Sequence, residues 1–220
     1  MKSICRPTHL STILPISRLL VKLAHLSNNP LLPLNNSDSF TTFALMKRII
    51  LITGGQRSGK SVLAERMALE LSRNPVYIAT AHIWDQEFQQ RVDKHKERRG
   101  EQWTNIEEEK HLSKLYIYNK VAVIDCLTLW CTNFFFSAAN DESHQPDINE
   151  TLKEIEEEFD KFTDQDATFI FVTNEIGSGG VSGNAVQRRF TDLLGWFNQY
   201  VAAKADDVYL TVSGIPVKIK

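Results

Sequence analysis

From residue 48 onward the chain alternates two hydrophobic patterns. Short continuous apolar runs, the mark of strands buried on both faces of a parallel sheet, occur at Arg48–Thr53, Val76–Ala79, Val121–Ile124 and Thr168–Val172. Between them lie segments with apolar residues at helical spacing. Lys60–Leu71 carries Leu63, Met67 and Leu71, and Asp85–Arg99 reads as a polar helix with Phe88 and Val92. Ile148–Phe162 sets Leu152, Ile155 and Phe159 on one face, and its Glu154 and Glu156–Glu158 read as a solvated face. Asn184–Ala205 predicts a long helix with Phe190, Leu193, Leu194 and Phe197 turned inward. Val208–Val212 and Ile215–Ile219, joined through Ser213-Gly214, predict a terminal hairpin, and Asn140–Asp147 reads as a loop. No internal repeat occurs. Strands alternating with helices predict an α/β fold: a mostly parallel sheet, helices on both faces, and an antiparallel edge strand from the hairpin.

The first 45 residues break this pattern. They hold Pro, Ser, Thr and Asn clusters and almost no acid, and the apolar stretch Leu10–Leu26 is interrupted by Arg18 and Lys22. That excludes a membrane span and gives no signal peptide. Met46-Lys47-Arg48 leads straight into the first strand. The expected organisation is therefore a disordered or mis-assigned extension over residues 1–45 and one catalytic domain over residues 46–220. A composition of 42% hydrophobic and 24% charged residues fits an ordinary soluble protein, and a net charge of -2 offers no footprint for nucleic acid or an anionic membrane. Cys5, Cys126 and Cys131 form neither a disulfide framework nor a zinc pair. Cys126 and Cys131 are expected to pack as small apolar residues, and a reducing cytoplasm fits.

The strongest chemical signal is Gly54-Gly55-Gln56-Arg57-Ser58-Gly59-Lys60-Ser61, which matches G-x-x-x-x-G-K-[ST] between a predicted strand and a predicted helix. Glycines let successive backbone N–H groups surround phosphate oxygens, and the following helix aims its positive end at the same point. Lys60 supplies a cation for the β/γ-phosphates and Ser61 a hydroxyl for Mg²⁺. Asp125, ending the third strand, is the candidate metal carboxylate, with helix N-capping as its alternative role. Glu175, beyond the fourth strand, is the second candidate for the metal.

Arg91, His95 and Arg99 fall at i, i+4 and i+8, with Lys94, Lys96 and Arg98 around them. Such charge calls for an anion nearby and depresses the pKa of His95, keeping the imidazole neutral and nucleophilic. The alternative is a solvated basic helix with an incidental histidine. His82, His111 and His144 have no comparable setting.

Taken in order, several segments resemble the bifunctional adenosylcobinamide kinase / adenosylcobinamide-phosphate guanylyltransferase family of cobalamin biosynthesis. They are Ile52–Ser61, Tyr77–Ala81, Arg91-Val92-x-x-His95-Lys96-x-x-Arg99, Trp103 with Glu107, and Asp125–Trp130 with Thr132-Asn133. Val172–Gly177, Arg189-Phe190 with Asp192, Gly195, Asn198-Gln199, Ala205-Asp206 and Val212–Lys218 complete the set. Departures at Lys96, Gly100, Gly180, Ser182 and Thr191 remove no proposed catalytic group. The resemblance implies a RecA-like P-loop fold, commonly a homotrimer. It also implies phosphorylation of adenosylcobinamide, then transfer of GMP from GTP to that phosphate through a GMP–histidine intermediate at His95. The kinase step would take GTP or ATP, with Mg²⁺. The implied nucleotide contacts are Gly54–Ser61, Ala79, Thr80, Ala81, Arg99, Glu107 and Asp125, and the implied partner is a corrinoid. Two other readings remain: a small-molecule kinase limited to γ-phosphoryl transfer, and a RecA-like nucleotide-dependent switch.

Overall fold

A computed structural model describes residues 46–81, 99–137 and 147–220. The expected Asp85–Arg99 helix, with His95, and the Asn140–Asp147 loop fall almost wholly outside those residues, as does the segment 1–45.

Among the described residues the strands are β1 (Arg48–Gly54), β2 (Val76–Ala79), β3 (Thr104–Glu107), β4 (Val121–Asp125), β5 (Thr168–Val172), β6 (Asp207–Val212) and β7 (Ile215–Lys218). They form one seven-stranded sheet in the order β3-β2-β4-β5-β1-β6-β7. Every pairing is parallel except β6 with β7, the expected hairpin. Among the described residues the helices are α1 (Lys60–Leu71), α2 (Leu127–Ser137), α3 (Ile148–Thr163) and α4 (Ala185–Lys204). One strand, β5, separates the loop-bearing β1 from β4 and its terminal Asp125, the arrangement of RecA-like P-loop proteins.

The alternation of the strands divides the core between the two sheet faces. Ile49, Leu51, Ala122, Ile124, Phe169 and Phe171 join a cluster with Trp130, Phe159 and Phe197 of α2, α3 and α4. Ile50, Ile52, Val121, Val123, Ile170 and Val172 face the other way, against Leu63, Ala64 and Ala68 of α1. Each fully buried side chain of this size contributes roughly 1.5–3 kcal/mol. On the aromatic face Phe159 meets Phe171 at 5.1 Å and Phe197 at 5.9 Å between ring centroids.

Two elements escape the hydrophobic pattern. Strand β3 reads Thr-Asn-Ile-Glu, with one partly buried position, and exists because it adds to the edge of β2. Helix α2 is buried along much of its length (Leu127, Trp130, Cys131, Phe134, Phe135), so no polar face gives it a helical period. In α1 the buried stripe runs through Leu63, Ala64 and Ala68, and Leu71, which shares the helical spacing of Leu63 and Met67, is exposed. Small Ala side chains there let the helix lie close to the sheet.

Asp207 ties the late strands to β1. Its carboxylate accepts from Arg48 Nη2 at 2.5 Å and lies 2.5 Å from Lys218 Nζ. Burial would raise its carboxyl, but the two cations outweigh that and hold it below the usual range. No helix among the described residues is long and apolar enough to cross a membrane.

Candidate active site

The strand ends set the site. In register, Glu107 stands level with Ala79, Ala79 with Asp125, Asp125 with Val172, and Val172 with Ile52. The nucleotide-contact positions expected on four separate strands thus converge on the C-terminal edge of the parallel sheet, where open α/β sheets bind ligands.

The Gly54–Ser61 turn joins β1 to α1. Gly59 occupies the N-cap of α1 at φ 97, with no side-chain hydrogen bond to the helix and no acid in the first turn. The first N–H groups of this helix therefore point outward without a side-chain acceptor from the cap, ready for an anion. Arg57, at φ 59, is a non-glycine residue in the left-handed region at the tip of the loop. Below the loop is a cleft of about 360 Å³ lined on one side by Gln56–Val62 and on the other by Asp125, Cys126, Val172 and Asn174. Lys60, Ser61 and Asp125 thus share one cavity.

Lys60 is 7% exposed, and its Nζ donates to the Gly55 carbonyl at 2.6 Å. Burial lowers its pKa, against the opposing pull of Asp125. A cation held at that cost, with a backbone carbonyl as its hydrogen-bond partner, is suited to a polyphosphate. Asp125 Oδ2 accepts from the Tyr77 hydroxyl at 2.7 Å, and burial beside this carboxylate raises the Tyr77 pKa. The N-cap alternative for Asp125 fails, because the Cys126 carbonyl accepts the Trp130 N–H and places residue 126 at the start of α2. Hard oxygen ligands from Ser61 and Asp125 suit Mg²⁺, which commonly takes one or two protein oxygens and completes its shell with phosphates and water. Among the described residues no group of three or more His, Cys, Asp or Glu forms a metal cage.

Other expected residues have structural partners. Thr80 is fully buried, and its hydroxyl donates to the Cys126 carbonyl at 2.8 Å, pinning the end of β2, with Ala81 next to it, to the turn after β4. Arg99 is buried: its guanidinium lies 3.6 Å from the Tyr77 ring centroid and its Nε donates to Asn105 Oδ1 at 2.7 Å. Glu175 lies behind the loop, its carboxylate accepting from Thr53 Oγ1 at 2.6 Å and its N–H donating to the Gly54 carbonyl at 3.1 Å. On that strand end it is Asn174 that lines the cleft, held by Thr128 Oγ1, which accepts its backbone N–H at 3.0 Å. Asn174 follows an apolar run as Asp125 does, so strand-end position was the signal for it. Cys126 is buried and its thiol is pushed up to about 12, which leaves it a neutral apolar residue, as expected.

The hairpin turn buttresses the loop, a role that sequence reasoning missed. Gly214, at φ 82, donates its N–H to the Ser58 carbonyl at 2.9 Å. A Cβ on Gly54, at φ +148, would stand 2.4 Å from the Thr211 carbonyl oxygen. Gly54→Ala combines that overlap with left-region strain, and a loss of roughly 2–4 kcal/mol in urea unfolding is expected. An unchanged midpoint would contradict this packing.

A family model described as cobinamide kinase / cobinamide phosphate guanyltransferase matches residues 50–219. The bifunctional adenosylcobalamin biosynthesis protein CobU of Escherichia coli (strain K12) is 37% identical over 181 residues, covering 78% of this chain and 99% of its own. Protein CobP of Pseudomonas aeruginosa, with the same descriptive name, is 37% identical over 174 residues, covering 77% and 96%. Among solved structures, an ATPase of the type III secretion system of pathogenic bacteria superposes with a TM-score of 0.50 at 11% identity. That match covers 79% of this chain and 57% of the other, a likeness of fold alone.

Proposed function

This chain belongs to the cobinamide kinase / cobinamide phosphate guanyltransferase family, and we propose that it carries both activities in that name, phosphorylating adenosylcobinamide and then transferring GMP from GTP to the phosphate formed. The observation that carries this reading is the cleft itself. The uncapped N-terminus of α1, the buried Lys60, Ser61 and the strand-end Asp125 line one 360 Å³ cavity shaped for a nucleoside triphosphate.

In the kinase step the loop amides and Lys60 hold the β- and γ-phosphates while the corrinoid hydroxyl oxygen bonds to the γ-phosphorus of GTP or ATP, the bond to the β,γ-bridging oxygen breaks, GDP or ADP leaves, and the hydroxyl proton passes to solvent. In the second step a nitrogen of His95 bonds to the α-phosphorus of GTP, and the bond to the β-phosphate oxygen breaks to release pyrophosphate. An oxygen of adenosylcobinamide phosphate then bonds to that same α-phosphorus, the phosphorus–nitrogen bond breaks, and the imidazole leaves while the GMP group stays on the corrinoid phosphate. Loop amides and Lys60 stabilise charge on the leaving pyrophosphate. Ser61 and Asp125 would hold Mg²⁺, which neutralises charge on the phosphate oxygens when bound. Ala79–Ala81 and Glu107, at the ends of the neighbouring strands, complete the proposed nucleotide surroundings, and Arg99, expected there as a contact, is held instead against Tyr77 and Asn105. The alignment that spans 99% of the Escherichia coli relative takes up 78% of this chain, which supports residues 46–220 as the catalytic unit. A cytoplasmic homotrimer is proposed with it. The exposed Val212, Ile215 and Val217 of the hairpin support an interface between copies.

Two labels test the assignment. With adenosylcobinamide, γ-labelled GTP is expected to put label in a corrinoid phosphate, and α-labelled GTP to put it in a corrinoid nucleotide. Transfer of the γ-label alone would leave a simple kinase. Release of free phosphate with no labelled corrinoid would leave a nucleotide-dependent switch.

A further inference from the structure

Asp125 ends its strand beside solvent, and nothing in its own backbone fixes the rotation of its carboxylate, a broad, two-fold torsion. Tyr77 fixes it. On β2, Tyr77 pairs with Val123, two residues before Asp125 on the same face of the sheet. Its ring is 4% exposed, and its hydroxyl reaches along the strands to donate to Oδ2 at 2.7 Å. The ring is itself held from two sides. The edge of Trp103 meets it at 6.0 Å and 80°, and the Arg99 guanidinium covers it at 3.6 Å. Arg99 in turn bonds Asn105 through Nε, and its Nη1 lies 3.8 Å from Glu65 Oε1 on α1, the helix that carries the phosphate loop. That Nη1 is buried with no hydrogen-bond acceptor, so Arg99 is kept in place by the stack on Tyr77 together with the Nε bond to Asn105 and the attraction of Glu65.

We propose that Tyr77 is the positioning residue for the metal-binding carboxylate, occupying one oxygen of Asp125 so that the other faces the cleft, and that Arg99 holds Tyr77 in that orientation. This rests on the reading of Asp125 as an Mg²⁺ ligand. Neither residue contacts the metal in this scheme. Their effect is on the direction in which Asp125 presents its charge, and it therefore belongs to nucleotide binding with Mg²⁺, not to nucleotide binding as such.

The test is calorimetric binding of α,β-methylene GTP, which cannot release pyrophosphate, across an Mg²⁺ series and in EDTA. Tyr77→Phe keeps the ring and its stack and removes the donor. It should raise the Mg²⁺ midpoint about tenfold, the effect of one hydrogen bond to a charged group, and leave affinity in EDTA within about twofold. Arg99→Lys, which keeps the charge but loses the planar stack, should move the midpoint in the same direction. In an Asp125→Asn background Tyr77→Phe should add nothing. Circular dichroism establishes that each variant is folded. A folded Tyr77→Phe protein with the native Mg²⁺ midpoint overturns the proposal, as does an equal loss of affinity in EDTA. If Tyr77→Phe fails to fold, an unchanged midpoint in Arg99→Lys overturns it. An Asp125→Asn protein with the native midpoint would overturn the metal assignment, and this inference with it, whereas loss in Asp125→Asn alone sinks only the role of Tyr77.

Discussion

Lys60→Met is expected to lower both phosphoryl and guanylyl transfer by about 10²–10³-fold, the usual loss when one donor to a developing phosphate or oxyanion charge is removed. The same variant should be no less stable than the native protein when nucleotide is absent. Lys60 is buried, its Nζ rests on the Gly55 carbonyl, and burial lowers its pKa, so the empty fold bears the cost of holding a cation out of water. Methionine removes that cost and keeps the chain length. The pH dependence gives the sign. A group whose folded pKa is depressed binds more protons in the unfolded chain, so its contribution disfavours the fold at neutral pH and fades as pH rises towards the ordinary lysine value of 10.5. Native protein should therefore gain stability on going from neutral pH towards pH ~10 through a component that Lys60→Met lacks.

Nucleotide should reverse the order of the two proteins. At a ligand concentration near 100 times Kd, binding adds about 2.7 kcal/mol, or roughly 5–10 °C in Tm for a domain of this size. That shift should be present in the native protein and largely missing in Lys60→Met. A variant that loses several degrees without nucleotide, yet keeps rates within a few-fold of native, would mean that Lys60 is a structural residue.

Much of this site was legible because phosphate chemistry leaves a local signature. The Gly54–Ser61 turn needs glycines, a lysine and a hydroxyl within eight consecutive positions, and a strand and a helix on either side announce themselves by their periods. Asp125 was legible for a related reason, as an acid closing an apolar run. What was not legible depends on contacts between distant segments. Strand β3 has no hydrophobic pattern of its own and is made by the edge of β2. Helix α2 is too apolar to show a period. Gly214 against Ser58 joins residues on either side of the whole domain, and no local spacing encodes that meeting. Arg99 is instructive in another way. Counted along the sequence it is one more cation beside His95. In the structure its charge is already committed to the Tyr77 ring, Asn105 and the side of α1. Any stabilisation of a nucleotide by the basic segment must then rest more on Arg91, Lys94, Lys96 and Arg98.

His95→Asn is expected to abolish the acid-labile adduct formed from α-labelled GTP, with a peptide carrying residue 95 as the labelled fragment in native protein, while γ-phosphoryl transfer to the corrinoid survives. His95 lies outside the described residues, and the support for it is chemical. A phosphorus–nitrogen bond needs an unprotonated imidazole, and the surrounding cations favour that form. It lies four positions before Arg99, a reach of at most about 14 Å along an extended chain, and Arg99 is fixed on Tyr77 beside Asp125. The reaction through such an intermediate is ping-pong, so pyrophosphate release should precede and not require the corrinoid phosphate. Adduct formation should fall as pH drops through the imidazole pKa, because protonation removes the attacking lone pair. The kinase step, which uses no imidazole in this scheme, should lack that limb of the profile. The separation of the two activities is the decisive feature. A mere structural lesion at residue 95 would depress both transfers together, and an Asn variant that still accumulates labelled adduct would remove the histidine from the chemistry.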